Sequence, residues 1–286
     1  MKKYSSILLF IFIIMSSGCS TKYMGAGLND FHKSSELIAE SMTGVITEII
    51  DQEMELRAER SVIKSSITAS DLEPVILTFN NLRLRKELVN CLVEYSGLLK
   101  ALLDKDHITF VREYGEDLRE SLNNINTSDP GLVSKEAGGI ISTIITMVPE
   151  GVTFMKKRKF ALKLMGEMQK VIDKVSVKLK EEINSLKLLA PNLYTRLFRE
   201  KIENKWPDKK EKRLKYALAG VKIIKKRERF GLLVDDLIKI MDIFPVEHKR
   251  LMDSFRKSGG TLIGLNELLN YSLRLKNNYD LFSKGE

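Results

Sequence analysis

Five side chains of this 286-residue sequence carry the groups most often recruited for covalent or metal chemistry: Cys19, Cys91, His32, His107 and His248. The three histidines stand apart from one another. None forms a His-x-x-x-His pair or sits beside a cysteine at ligand spacing, so zinc has no pattern to rest on. Cys91 falls inside an apolar stripe with no base in a supporting motif, and it reads as a small buried hydrophobe. Gly138-Gly139 has no Gly-Lys-Ser/Thr after it and no strand before it, which excludes a phosphate loop. Glu113, Glu116, Asp117 and Glu120 lie near one helix face. They have the chemistry to hold a cation or to act as acid and base, but a solvated helix face accounts for them more simply. There is no catalytic signature, and neither a cofactor nor a metal site is expected. The chain is read as something other than an enzyme.

Charge is the stronger signal. The chain carries 47 Lys+Arg against 38 Asp+Glu, a formal +9, and the excess is unevenly spread. Residues 20–130 hold 12 basic and 19 acidic side chains, whereas 196–229 hold 14 basic and 5 acidic. Within the basic stretch, Lys209, Lys210, Lys212, Arg213 and Lys215 cluster before an apolar helix, and Lys222, Lys225, Lys226, Arg227 and Arg229 continue the cluster. Tyr194, Phe198, Trp206 and Tyr216 are interleaved. These ten cations are the candidate site for an anionic partner. The competing reading is neutralisation by the acidic first helices within one fold.

Helices must position these groups. Apolar residues recur at i, i+3 and i+4 from about Asp30 to Lys64, with Phe31, Ile38, Met42, Val45, Ile46 and Ile49 on one stripe. Ser70 and Glu73 have capping-box spacing before a second helix that carries Leu88, Cys91, Leu92, Tyr95 and Leu99. A third amphipathic helix covers Ile108 to Ile125, and Asp129-Pro130 offers a further helix start. Val152 to Leu189 reads as a long helix that Pro191 ends or bends. A short helix follows over Asn192 to Asn204, then one over Lys209 to Ile243. Pro245 starts another, and a closing helix follows the Gly259-Gly260 break. No strand alternation of useful length appears. The expected fold is all-α, an elongated multi-helix bundle of about eight helices, several long and amphipathic.

Ala137 to Met155 is nineteen residues with one charge, Glu150, and Lys156-Lys157-Arg158-Lys159 follow directly. Pro149 and Gly151 leave Ala137 to Val148 as the unbroken part, about 18 Å of helix, well short of a hydrocarbon core. It reads as a buried core helix, with a membrane-interacting role for Ile140, Ile141, Ile144, Ile145 and Val148 as the alternative.

The N-terminus says where the protein works. Lys2 and Lys3 precede nine apolar residues, Ile7 to Met15, and the small residues Ser16, Ser17 and Gly18 then lead to Cys19. That is the layout of an export signal, too short for a permanent span. Ser16-Ser17-Gly18-Cys19 resembles the lipobox of bacterial lipoproteins, with Ser16 in place of the family's usual Leu. The resemblance covers residues 1–20 and implies cleavage before Cys19 and lipid attachment to it. It also implies a place in the bacterial cell envelope. Ser20 after the cysteine, in place of Asp, implies the outer membrane, facing the periplasm. With Cys19 so used, Cys91 is single and no intramolecular disulfide is available.

The expected organisation is a signal over 1–18, a lipidated cysteine and short tether over 19–29, an acidic helical region over 30–128 and a basic helical region over 129–286. The last two are either separate or one continuous bundle. The functional expectation is a lipid-anchored binding or scaffold protein that docks another protein, an anionic lipid or a wall polymer. In an exported protein, nucleic acid is not the expected partner. The alternative is a membrane-active protein that inserts 137–155.

Overall fold

The apolar periodicity of the sequence becomes helix throughout. The structure, a computed structural model, describes residues 2–61, 67–75, 79–103, 110–133, 135–147, 153–257 and 265–284, without the side chains of 2–26, 79–82, 135 and 154. Its helices are α1 (Lys2–Ser61), α2 (Ala69–Leu72), α3 (Phe79–Leu103), α4 (Phe110–Ser128), α5 (Lys135–Met147), α6 (Phe154–Phe198), α7 (Lys210–Arg256) and α8 (Leu265–Lys284), with a π-helical turn over Arg199–Glu203 after α6. Among the described residues there is no strand. The protein is an all-α multi-helix bundle.

The chain divides into two compact units, each assembled from three separated segments. One comprises Met1–Glu36, Asn90–Lys174 and Ile243–Asn270, and the other Leu37–Val89, Val175–Asp242 and Tyr271–Glu286. Helices α1, α3, α6, α7 and α8 each give a length of chain to both units, while α4 and α5 belong wholly to the first.

In the first unit, α4 is the clearest amphipathic helix. It buries Val111, Gly115, Leu118, Leu122 and Ile125 on one side and exposes Arg112, Glu113, Glu116 and Glu120 on the other. The turn that follows is closed by Gly131 at φ +98°, the left-handed conformation that glycine tolerates. Helix α5 packs against α4. A Cβ added at Gly115 would sit 2.6 Å from Cγ1 of Ile145, so the two helices meet closely only because Gly115 has no side chain. Phe31, Tyr95, Phe244 and His248 form a ring cluster at the centre, with Phe31 to Phe244 at 5.1 Å between centroids.

In the second unit, Ile38, Met42, Val45, Ile46 and Ile49 of α1 are buried, as are Val175, Leu179, Ile183 and Leu186 of α6 and Phe230, Leu233, Val234 and Leu237 of α7. Ion pairs border this core. Lys180 meets Asp242 at 2.6 Å and Lys187 meets Asp235 at 2.7 Å, about two helix turns apart between α6 and α7.

Three local expectations differ from the structure. Pro191, expected to end or bend the helix, lies inside α6, which runs on where the sequence predicts a separate short helix over Asn192 to Asn204, and Pro245 lies inside α7 instead of starting a helix. A proline there removes one amide donor and crowds the carbonyl four residues back. Burial on both sides outweighs that cost. Ile183 and Leu186 before Pro191 share a face with Leu193, Tyr194 and Leu197 after it, and Phe244 shares one with His248, Leu251 and Phe255. The helix cap expected at Ser70 lies at Thr68, whose amide donates to Asp71 Oδ2 at 2.9 Å, and α3 begins only at Phe79. Finally, α1 carries through 20–27, where the small residues predict a tether.

Candidate functional site

The ten cations singled out by the sequence lie on α7 or one residue before it, and the fold sorts them into two groups. Helix α7 opens after Pro207, and its first turn is organised by Arg213. Its Nε and Nη2 donate to the carbonyls of Pro207 and Asp208 at 3.2 and 3.1 Å, tying the guanidinium to the preceding turn. Lys226 is half-buried, pairs with Glu48 of α1 at 2.5 Å and lies 5.8 Å from the Phe282 ring centroid. Arg229 donates to the Leu281 carbonyl at 2.5 Å. That carbonyl is in the last turn of α8, where helix carbonyls lack an intrahelical partner. These three cations are committed to the fold.

The other seven are not. Lys209, Lys210, Lys212, Lys215, Lys222, Lys225 and Arg227 are exposed, and none has an ion-pair partner among the described residues. Carboxylates of α1 are paired elsewhere in the same unit: Glu55 with Lys201, Glu59 with Lys205, and Glu40 with Lys276. The hydrogen bond from Lys205 to Glu59 holds that ammonium above the usual lysine range. Internal neutralisation is therefore real, and among the described residues it reaches Lys226 in the first half of α7 but not the seven exposed cations around it.

The first half of α7 also presents an apolar line that sequence reasoning placed on the helix without distinguishing it from the core. Leu214, Ala217, Leu218 and Val221 follow i, i+3, i+4, i+7 spacing, which puts them on one face. All are exposed, at 68% for Leu214, 54% for Leu218 and 47% for Val221. The opposite face meets the rest of the unit. Gly220 is buried with the Phe198 ring 2.9 Å from where a Cβ would stand, and Phe230 packs 6.1 Å from Tyr194 and 6.3 Å from Phe282. Lys210 and Lys225 stand four residues before and after the ends of the exposed line, and Lys215 and Lys222 border it along one side. The signal that could have separated this line from core was the charge density around it. A helix that carries cations on nearly every side has only one side left to bury.

Beside α7 a cleft of about 200 Å³ is lined by Tyr194, Phe198, Arg199, Ile223, Ile224 and Arg227, among others. Burial and, less strongly, the charge of Glu48 push the Tyr194 hydroxyl far above its usual range, so it stays a neutral phenol there.

The remaining candidates are placed as follows. Ile140, Ile141 and Ile144 are buried in the first unit, Ile145 is half-buried against Gly115, and Val148 lies outside the described residues. Among the described residues no helix is long and apolar enough to cross a membrane. The side chain of Cys19 and the whole of His107 also lie outside the described residues. Cys91 is buried. Glu113, Glu116, Asp117 and Glu120 are exposed, and Glu116 accepts from Arg112 at 2.9 Å.

One buried polar group escaped the sequence reading because its partners are 79 and 153 residues away. His248 is fully enclosed, with Nδ1 2.7 Å from Gln169 Oε1 and Nε2 2.5 Å from the Tyr95 hydroxyl. Gln169 Nε2 donates to Asp173 at 2.8 Å and to the Pro245 carbonyl at 3.2 Å, which orients the amide. Gln169 Oε1 must then accept, Nδ1 of His248 carries the proton, and Tyr95 donates to Nε2. Burial lowers the His248 pKa to about 3, so the ring is neutral and the chain is satisfied. The group is closed on all sides and reads as structural.

The fold and this face together define a class, an all-α bundle that displays unneutralised cations around an exposed apolar helix face. Comparison with protein families, curated proteins and solved structures finds no match for the chain.

Proposed function

We propose that the protein is a lipid-anchored helical binding protein of the bacterial envelope that docks an anionic partner through the first half of α7. The observation that carries this reading is the set of exposed cations from Lys209 to Arg227 with no carboxylate partner among the described residues. Charges left over after a fold has paired its own are available to a partner, and like charges crowded on one helix repel until something anionic approaches. The anchor is Cys19, on the lipobox resemblance, and it supports a place at the periplasmic face of the outer membrane. His32 Nδ1 lies 3.0 Å from Ser96 Oγ, but that hydroxyl is fully buried and donates to the Val93 carbonyl at 2.8 Å, which supports a structural hydrogen bond and the reading of a binding protein in preference to an enzyme.

The experiment has two parts. Replacing Cys19 with Ser should abolish incorporation of labelled palmitate and release the protein from the membrane fraction. Retained label refutes the anchor. Replacing Lys209, Lys210, Lys212 and Lys215 together with Glu should abolish recovery of the partner that co-purifies with the native lipoprotein. Unchanged recovery together with unchanged binding to anionic vesicles refutes docking through α7.

A further inference from the structure

The exposed cations alone fit any anionic surface, but the apolar line they surround narrows the choice. We propose that the Leu214–Val221 face of α7 is a membrane-surface element, which lies in the interface of a bilayer containing anionic phospholipid. This rests on the reading of α7 as a docking surface and names what it docks to.

Three observations favour lipid over an acidic protein. The first is the composition of the face. Its centre is Leu214, Ala217, Leu218 and Val221, and its border is Lys210, Lys215, Lys222 and Lys225. Protein interfaces are depleted in Lys at their centres and take their binding energy from Trp, Tyr and Arg. Interfacial helices border an apolar line with Lys, as Lys215 and Lys222 do along one side here and Lys210 and Lys225 at the two ends, because the long methylene stem lies along the acyl boundary while the ammonium reaches the phosphates. The second is freedom. The four bordering lysines have no ion-pair partner among the described residues, so bringing them to phosphate breaks no ion pair. The third is direction. The buried side of the same segment, Gly220 and Phe230, faces Phe198, Tyr194 and Phe282 of its own unit, which turns Leu218 outward without any rearrangement. The apolar line covers little more than two helix turns, and Lys225 and Glu228 interrupt it before Leu232. It is too short to span and suited to shallow insertion at the headgroup level.

The test uses the full lipid-anchored chain reconstituted in two sets of vesicles, phosphatidylcholine alone and phosphatidylcholine with about a third phosphatidylglycerol. A nitroxide is attached through Leu218→Cys, the buried Cys91 being shielded. Collision of the label with oxygen should rise, and with a water-soluble nickel complex fall, each about threefold or more, only in the anionic vesicles. Lys215→Glu, Lys222→Glu and Lys225→Glu combined should remove the difference. So should Val221→Glu, an exposed position whose substitution leaves the core intact. Equal water exposure of the label in both vesicle sets overturns the proposal. Protection of the label by an acidic polypeptide but not by lipid overturns it too, while leaving α7 as a docking surface. If neither lipid nor polypeptide responds to the charge reversals, the docking reading falls with it.

Discussion

At the scale of single residues the most constrained side chain is His248. Its two ring nitrogens are spoken for by Gln169 and Tyr95, and burial holds its pKa down at about 3. Because the folded state refuses the proton that the unfolded state accepts near pH 6.5, the stability that His248 contributes is complete above that pH. It is lost as pH falls from 6.5 toward 3, at about 1.4 kcal/mol per pH unit. His32 is shifted down as well, first by burial, and acts in the same direction. Urea unfolding midpoints measured from pH 7.5 to 4 should therefore fall. Replacement of His248 by Leu should flatten that fall while lowering stability at pH 7.5 by about 1–3 kcal/mol, since Tyr95 and Gln169 lose their buried partner. A midpoint independent of pH in the wild-type chain would remove His248 as a buried neutral group. This network was invisible in the sequence, where each histidine stands alone. A hydrogen bond between residues 153 positions apart follows from topology, and no local spacing encodes it. Cys91 was legible, because its place in the stripe Leu88, Leu92, Tyr95 and Leu99 fixes it inward.

At the scale of elements, periodicity was legible and punctuation was not. The stripes on α1, α3, α4 and α6 became core almost residue by residue, since a 3.6-residue repeat leaves one buried face. Proline was over-read as a stop signal, because local cost was weighed without the burial that a continuous helix secures on both sides of Pro191 and Pro245. Glycine marks a different device. Gly115 of α4 admits Ile145 of α5 to a distance that a Cβ would forbid. Gly115→Val should destabilise the protein by about 1–3 kcal/mol through overpacking. Ile145→Ala in the same chain should recover part of that loss, because it vacates the colliding volume. Thermal unfolding of the two single variants and the double variant gives the coupling. Strict additivity would mean that the two helices do not meet at this point.

At the scale of the whole molecule the question is how an acidic N-terminal third and a basic middle coexist. In the second unit, Glu48, Glu55 and Glu59 of α1 each take one cation from the segment Lys201–Lys226. Surface pairs of this kind contribute little individually, about 0–1 kcal/mol. Their larger effect is to leave an excess at one place, since Lys210, Lys215, Lys222 and Lys225 have no counterpart among the described residues. The sequence showed this excess as a count but not as a face. Which cations are spent depends on pairings such as Lys226 with Glu48, 178 positions apart. Near an anionic bilayer each lysine of the excess contributes about 1 kcal/mol, so four would supply about 4 kcal/mol, or nearly a thousandfold in partitioning. That contribution is screened as the Debye length shrinks from about 10 Å at 0.1 M salt to about 3 Å at 1 M. A lipid at Cys19 is not screened in this way. Salt should therefore separate the two attachments. In anionic vesicles a nitroxide on Leu218→Cys should move from the acyl boundary to water between 0.1 and 1 M NaCl, while the protein continues to sediment with the vesicles. If label and protein leave together, Cys19 carries no anchor. If the label stays immersed at 1 M, the apolar line of Leu214, Leu218 and Val221 holds α7 to the bilayer without help from its lysines.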